Sequence, residues 1–116
     1  MRFQNKIAII TAAASGIGRA SADIMAAEGA LVVMVDKDEA KLANAVAAIN
    51  GSIAAHGGAA EAMPADALDE AQVNGLIADV ARRHGRIDIL VNAVGGSTII
   101  AFVTDPDGYK IELIQR

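Results

Sequence analysis

Ile7-Ala-Ile-Ile-Thr11 runs directly into Ala12-Ala-Ala-Ser-Gly-Ile-Gly18, and this junction decides the fold. From Lys6 to Thr11 the chain is short, apolar and β-branched, as in a strand covered on both faces. The small residues after it make a tight turn. A helix then runs from about Ser15 to Glu28, with Gly29 as its stop. Ile17, Ala20, Ile24 and Ala27 share its apolar face, the face expected to pack inward.

The same alternation continues outward. Leu31-Val-Val-Met-Val35 is a second buried strand, and Asp38 can cap the helix after it. Leu42, Val46, Ile49 and Ile53 form that helix's stripe, Asn50-Gly51 weakens it, and Gly57-Gly58 ends it. Ala60 to Pro64 reads as a third strand. Asp69 or Asp66 begins a third helix with Val73, Leu76, Ile77 and Val80 inward. Arg82, Arg83 and His84 occupy its last turn before Gly85, where positive charge suits the carbonyl end of the dipole. Ile87-Asp-Ile-Leu-Val91 is strand four.

Strands alternating with helices predict right-handed crossovers and a parallel sheet in the order 3-2-1-4. Only Ala93-Val-Gly-Gly-Ser97 separates strand four from Ile99-Ile-Ala-Phe-Val103, too few residues for a parallel crossover, so strand five is expected to return antiparallel. Asp105-Pro-Asp-Gly108 reads as a tight turn. Tyr109 to Ile114 then alternates as a sixth, edge strand. The expectation is one α/β domain over residues 1–116, a truncated Rossmann-like three-layer sheet ordered 3-2-1-4-5-6 with strands 5-6 as an antiparallel hairpin.

Bulk properties narrow the function. With 53% hydrophobic but only 3% aromatic residues, the core must be built from small and aliphatic side chains. A net charge of −4 argues against a nucleic-acid surface. The chain has no cysteine, so neither disulfides nor thiolate metal sites can form. No run approaches the length of a membrane span, and the first apolar run is too short for a signal peptide. These features lead to the expectation of a cytoplasmic protein without nucleic-acid or membrane partners.

A small-residue turn between a strand and a helix is the context that a phosphate-binding loop needs. Gly16 and Gly18 let backbone approach a pyrophosphate and let the helix pack on the sheet. Ser15 and the first-turn amides, including that of Ile17, can donate to its oxygens. Asp36 stands 18 residues after Gly18, at the end of strand two, where an acid can accept both ribose hydroxyls. Its charge favours NAD over NADP, and neighbouring Lys37 weakens that preference. The alternative is a motif retained only as a fold element.

Residues 4–97 resemble the nucleotide-binding half of short-chain dehydrogenases/reductases. Their Thr-Gly-x-x-x-Gly-Ile-Gly pattern recurs at Thr11–Gly18 with Ala12 in place of the first glycine. The resemblance implies an adenine contact for Asp66, with helix capping as its alternative role. It implies a sheet-end or ribose contact for Asn92, in Asn92-Ala-Val-Gly95, where Val94 replaces a glycine. The catalytic Ser and Tyr-x-x-x-Lys implied by this family have no match in residues 4–97. Tyr109-Lys110 is no substitute, since adjacent strand residues point to opposite faces.

Residues 98–115 resemble the closing β-hairpin of glyoxalase I, with Glu112 at its metal-binding glutamate. One carboxylate cannot hold a divalent ion tightly, and His56 and His84 are expected to be solvated caps. No metal site and no catalytic residue are therefore expected. The leading interpretation is an artificial or recombinant chimera joined within residues 95–101, without catalytic function. It requires no cofactor but retains weak NAD or adenine-nucleotide binding through Ala12, Ser15, Gly16, Ile17, Gly18, Asp36, Asp66 and Asn92. Its alternative is a truncated NAD-dependent dehydrogenase. The uncovered sheet face and the C-terminal hairpin predict a homodimer.

Overall fold

The computed structural model describes residues 3–53, 58–94 and 98–103. The elements follow in order as β1 (Ile7–Thr11), α1 (Gly16–Ala27), β2 (Leu31–Asp36), α2 (Glu39–Ile53), β3 (Ala59–Pro64), α3 (Glu70–His84), β4 (Ile89–Val94) and β5 (Thr98–Val103). The strands form one sheet ordered β3-β2-β1-β4-β5. β1 to β4 are parallel, as the alternation requires. β5 returns antiparallel on β4, with Ile89 opposite Val103 and Val94 opposite Thr98. The expected turn at Asp105–Gly108, strand six, Glu112 and His56 lie outside the described residues.

Strand side chains alternate between two cores, one on each face of the sheet. Ala8, Ile10, Val32, Met34, Ile89 and Val91 meet Ala22 and Ala26 of α1 and Leu42, Ala45 and Ile49 of α2. Ile9, Val33 and Val35 meet Leu76 and Val80 of α3 on the opposite face. No helix among the described residues is long and apolar enough to cross a membrane.

The inward face of α1 is not the one expected. Gly18, Ala22 and Ala26 are buried, whereas Ile17 and Ile24 are 47% and 55% exposed, and Ala20 and Ala27 are exposed with them. Small side chains bring this helix close to the strands, and the larger isoleucines are left on the outer side.

Local chemistry settles the other boundaries. Asp38 caps α2 by accepting the Lys41 N–H at 3.1 Å. Asn50 does not interrupt α2. Its amide instead donates to Ala60 O at 2.9 Å and accepts from Ala60 N at 2.8 Å. That pair satisfies backbone groups on edge strand β3 which could otherwise recruit another strand. Asp69, rather than Asp66, caps α3 by accepting the Gln72 N–H. Gly85 ends α3 in the left-handed conformation at φ 77°.

β4 begins two residues later than expected and continues through Asn92, placing that residue inside the strand. The reason lies at Asp88. Its carboxylate accepts the Ile7 N–H at 2.8 Å, and its own N–H donates to Ile7 O at 2.9 Å. The strand pairing is thus closed at its lower end through a side chain. His84 is not a solvated cap either. Its ring is only 21% exposed and lies 3.5 Å from the Glu61 carboxylate.

Candidate functional site

The residues singled out in the sequence gather at the carboxyl ends of the parallel strands. β1 delivers the chain into the Ala12–Ser15 turn, and two successive amides of that turn are tied to the end of β2. Ala13 N donates to Val35 O at 3.0 Å, and Ala14 N donates to Asp36 Oδ2 at 3.1 Å. Thr11 is buried and donates its hydroxyl to Asn92 Oδ1 at 2.6 Å, joining β1 to β4 directly beneath the turn.

Three backbone features shape the loop. Ala12 has φ 50°, in the left-handed region. A side chain there costs about 1 kcal/mol, which the glycine of the family pattern would avoid. Gly16 has φ 61° with nothing within 4 Å of an added Cβ, so its glycine answers a conformational demand rather than a spatial one. At Gly18 the reason is space, because a Cβ would lie 2.4 Å from the Ala12 carbonyl oxygen and 2.9 Å from that of Thr11.

Ser15 precedes α1 in an extended conformation, and its hydroxyl makes no capping hydrogen bond. The first turn of α1 has no acidic residue, unlike those of α2 with Glu39 and α3 with Glu70. Ser15, Gly16 and Ile17 are exposed. First-turn amides have no partner within their own helix, so this end of α1 offers donors to an anion.

Asp36 Oδ1 also accepts the Asp38 N–H at 3.0 Å. Ala65 N donates to Asp36 O at 3.1 Å, which brings the end of β3 alongside. Asp66 follows there, accepting the Leu68 N–H on Oδ1 while its own N–H donates to Gln72 Oε1, both at 2.9 Å. A cleft of about 230 Å³ opens beside it, lined by Lys37, Glu39, Pro64, Ala65, Asp66 and Gln72. Ala12, Ser15, Gly16, Ile17, Gly18, Asp36, Asp66 and Asn92 thus share one edge of the sheet. Reading the sequence overlooked the two partners that organise them, the Thr11 hydroxyl and the Ala14 amide. The polar residue closing each of two adjacent apolar strands was the available signal for the first. No side-chain pattern marks the second.

The family described as short chain dehydrogenase matches residues 6–110. The 7alpha-hydroxysteroid dehydrogenase of Clostridium sardiniense is 43% identical over 98 residues, covering 84% of this chain and 36% of that protein. A short-chain type dehydrogenase/reductase from Mycobacterium ulcerans superposes with a TM-score of 0.75 at 34% identity, over 89% of this chain and 37% of its own. A short chain dehydrogenase/reductase from Burkholderia phymatum, in complex with NAD, gives a TM-score of 0.68 at 32% identity, over 78% of this chain and 31% of its own. The chain thus spans about a third of the length of these relatives.

Proposed function

The chain belongs to the short-chain dehydrogenase family, and from that premise we propose that it forms the dinucleotide-binding part of an NAD-linked oxidoreductase. One observation carries this reading: the turn is held to Asp36 through Ala14 N, directly ahead of a helix whose first turn has Gly16 and Ile17 exposed and no acidic residue of its own. The amides of Ile17 and Gly18 and the Ser15 hydroxyl would hold the pyrophosphate. Asp36 would accept the adenosine ribose hydroxyls, and the Asp66 cleft would lie against the adenine. Bound NAD would supply the hydride acceptor.

A carboxylate at Asp36 repels a 2′-phosphate, so NAD is the expected form, with Lys37 moderating the preference. The NAD held by the Burkholderia phymatum relative supports this choice. Calorimetric titration tests it. NAD should bind at about 0.1–1 mM, or roughly −4 to −5.5 kcal/mol, and more tightly than NADP. Gly16→Val should remove the binding, because valine resists the left-handed conformation. No binding by the natural chain, or equal binding by the variant, would leave the loop as a fold element.

The family match continues to residue 110, across the expected junction at residues 95–101, and so supports a single dehydrogenase origin over a chimera. The dehydrogenase alternative is therefore preferred to the glyoxalase hairpin. Residue 113, four after the single tyrosine Tyr109, is leucine, so these 116 residues contain no Tyr-x-x-x-Lys. The chain by itself is accordingly proposed to bind nucleotide without hydride transfer.

Self-association as a homodimer is also part of the proposal. The exposed Ile17, Ala20, Ile24 and Ala27 stripe supports it. Antiparallel pairing of two α1 helices would set each isoleucine against an alanine. The flanking Arg19–Asp23 ion pair, 3.5 Å within one helix, could then be exchanged across the twofold axis.

A further inference from the structure

We propose that Asp36 is a positioning residue for the loop, setting its shape before any ligand arrives, in addition to meeting the ribose. The inference rests on the dinucleotide reading above and concerns a different bond. Asp36 Oδ2 accepts Ala14 N at 3.1 Å, and Oδ1 accepts Asp38 N at 3.0 Å. The second bond fixes the rotation of the carboxylate, so the first can fix the turn. Together with Ala13 N on Val35 O, this anchors two consecutive amides of the turn to the end of β2.

The anchored geometry is one that the turn would not choose by itself. Ala12 is held at φ 50°, a region that L-residues rarely adopt, with its carbonyl against Gly18. Ala14 is 9% exposed, so its N–H has little access to water if the carboxylate is removed. A buried donor without a partner is costly, and the turn can relieve that cost by rotating Ala14 outward. Such rotation releases Ala12 and moves Ser15, Gly16 and Ile17, the residues that face the phosphates. Asp36 thus acts on the phosphate end of the site through backbone, without touching the phosphates.

Electrostatics alone predicts the opposite sign. Asp36 has no ion-pair partner among the described residues, so it repels a diphosphate, and removing it should tighten the binding of any ligand that does not use it. A ligand with adenine and diphosphate but no ribose hydroxyls separates the two effects. The test compares ADP with 2′,3′-dideoxyadenosine diphosphate by amide-shift titration of the whole chain, in the natural form and as Asp36→Ala and Asp36→Asn.

If Asp36 positions the loop, Asp36→Ala weakens both ligands, the dideoxy compound by about tenfold or 1.4 kcal/mol. Asp36→Asn keeps an oxygen for Ala14 N–H but turns its NH2 toward Asp38 N–H, so it recovers part of that loss for the dideoxy compound and less for ADP. Should Asp36→Ala fail to fold, Asp36→Asn carries the test through the dideoxy compound, which it must bind more weakly than the natural chain does. Unchanged or tighter binding of the dideoxy compound, with ADP weakened, would overturn the positioning role and leave the nucleotide reading intact. Failure of the natural chain to bind either compound would remove the nucleotide reading and this role together.

Discussion

The two ends of the sheet use an aspartate in the same way and leave it in opposite states. At the amino end, Asp88 accepts Ile7 N–H and is held by Arg86, whose Nη2 lies 2.7 Å from Oδ1. At the carboxyl end, Asp36 accepts Ala14 N–H and Asp38 N–H but has no ion-pair partner among the described residues. Burial pushes the Asp88 carboxyl up, but the Arg86 hydrogen bonds, the Ile7 N–H and the nearby Arg86 and Lys6 charges together hold it below its ordinary value. A carboxylate that only joins strands brings its own cation. Asp36, with no ion-pair partner among the described residues, lies instead at the carboxyl end of the strands, where its bonds go to the turn and to Asp38 and where Ser15, Gly16 and Ile17 are exposed.

The strongest way to break this contrast is at the carboxyl end, with Gly18→Val. Its Cβ meets the backbone of Ala12 and Thr11, which cannot rotate away as a side chain would. The expected loss is about 3 kcal/mol or more, at the upper end for overpacking, and urea denaturation would measure it. A loss under about 1 kcal/mol would mean that α1 can withdraw from the turn without penalty.

Asp88→Ala probes the amino end and should cost about 2–3 kcal/mol, because it leaves Ile7 N–H without its acceptor and Arg86 without its partner. The folded carboxyl titrates below its ordinary value of 3.8, so its contribution is complete above about pH 5 and is lost as pH falls through 3.8 and below. The stability difference between the natural and Asp88→Ala chains, read from denaturation curves, should therefore narrow as pH falls from 6 to below 3.8. A constant difference would contradict the assignment.

Ala12→Gly acts in the opposite direction. It removes the left-handed strain at the carboxyl end and should stabilise the chain by about 0.5–1 kcal/mol, the greater freedom of glycine in the unfolded chain offsetting part of the gain. A loss of stability would show that the alanine methyl contributes packing beyond its strain. The smallest effect on stability belongs to Ile24→Glu on the outer face of α1, within about 0.5 kcal/mol. Light scattering should nevertheless fall from near twice the monomer mass to the monomer. A monomeric natural chain would exclude self-association.

Much of this is legible in the amino-acid sequence. The β-branched runs, the glycines and the single-residue caps locate strands and helix ends, because those preferences are local. Helix α1 shows where local reading stops. Its isoleucines form the more hydrophobic stripe, so periodicity points to them, yet Gly18, Ala22 and Ala26 face the sheet. A strip of the smallest residues spaced four apart was the available signal, but its value depends on how closely helix and strand approach. Asn92 was similarly visible as a polar residue after an apolar run. Its placement within β4 follows from the register with β1, which carries Thr11 to its side.

Residue patterns alone carry the alternation of elements, the parallel order of the first four strands, the return of the fifth, and the glycine-containing turn with an acid one strand away. Each follows from local conformational preference, hydrophobic period and the length of chain needed for a crossover. Packing of the domain set which face of α1 is buried, that Asp88 accepts the Ile7 N–H, and that Asp36 holds the turn through Ala14. The Asp36–Ala14 and Asp88–Ile7 hydrogen bonds join residues 22 and 81 positions apart. Such contacts depend on strand register and helix–sheet distance, which arise from the packing of the whole domain.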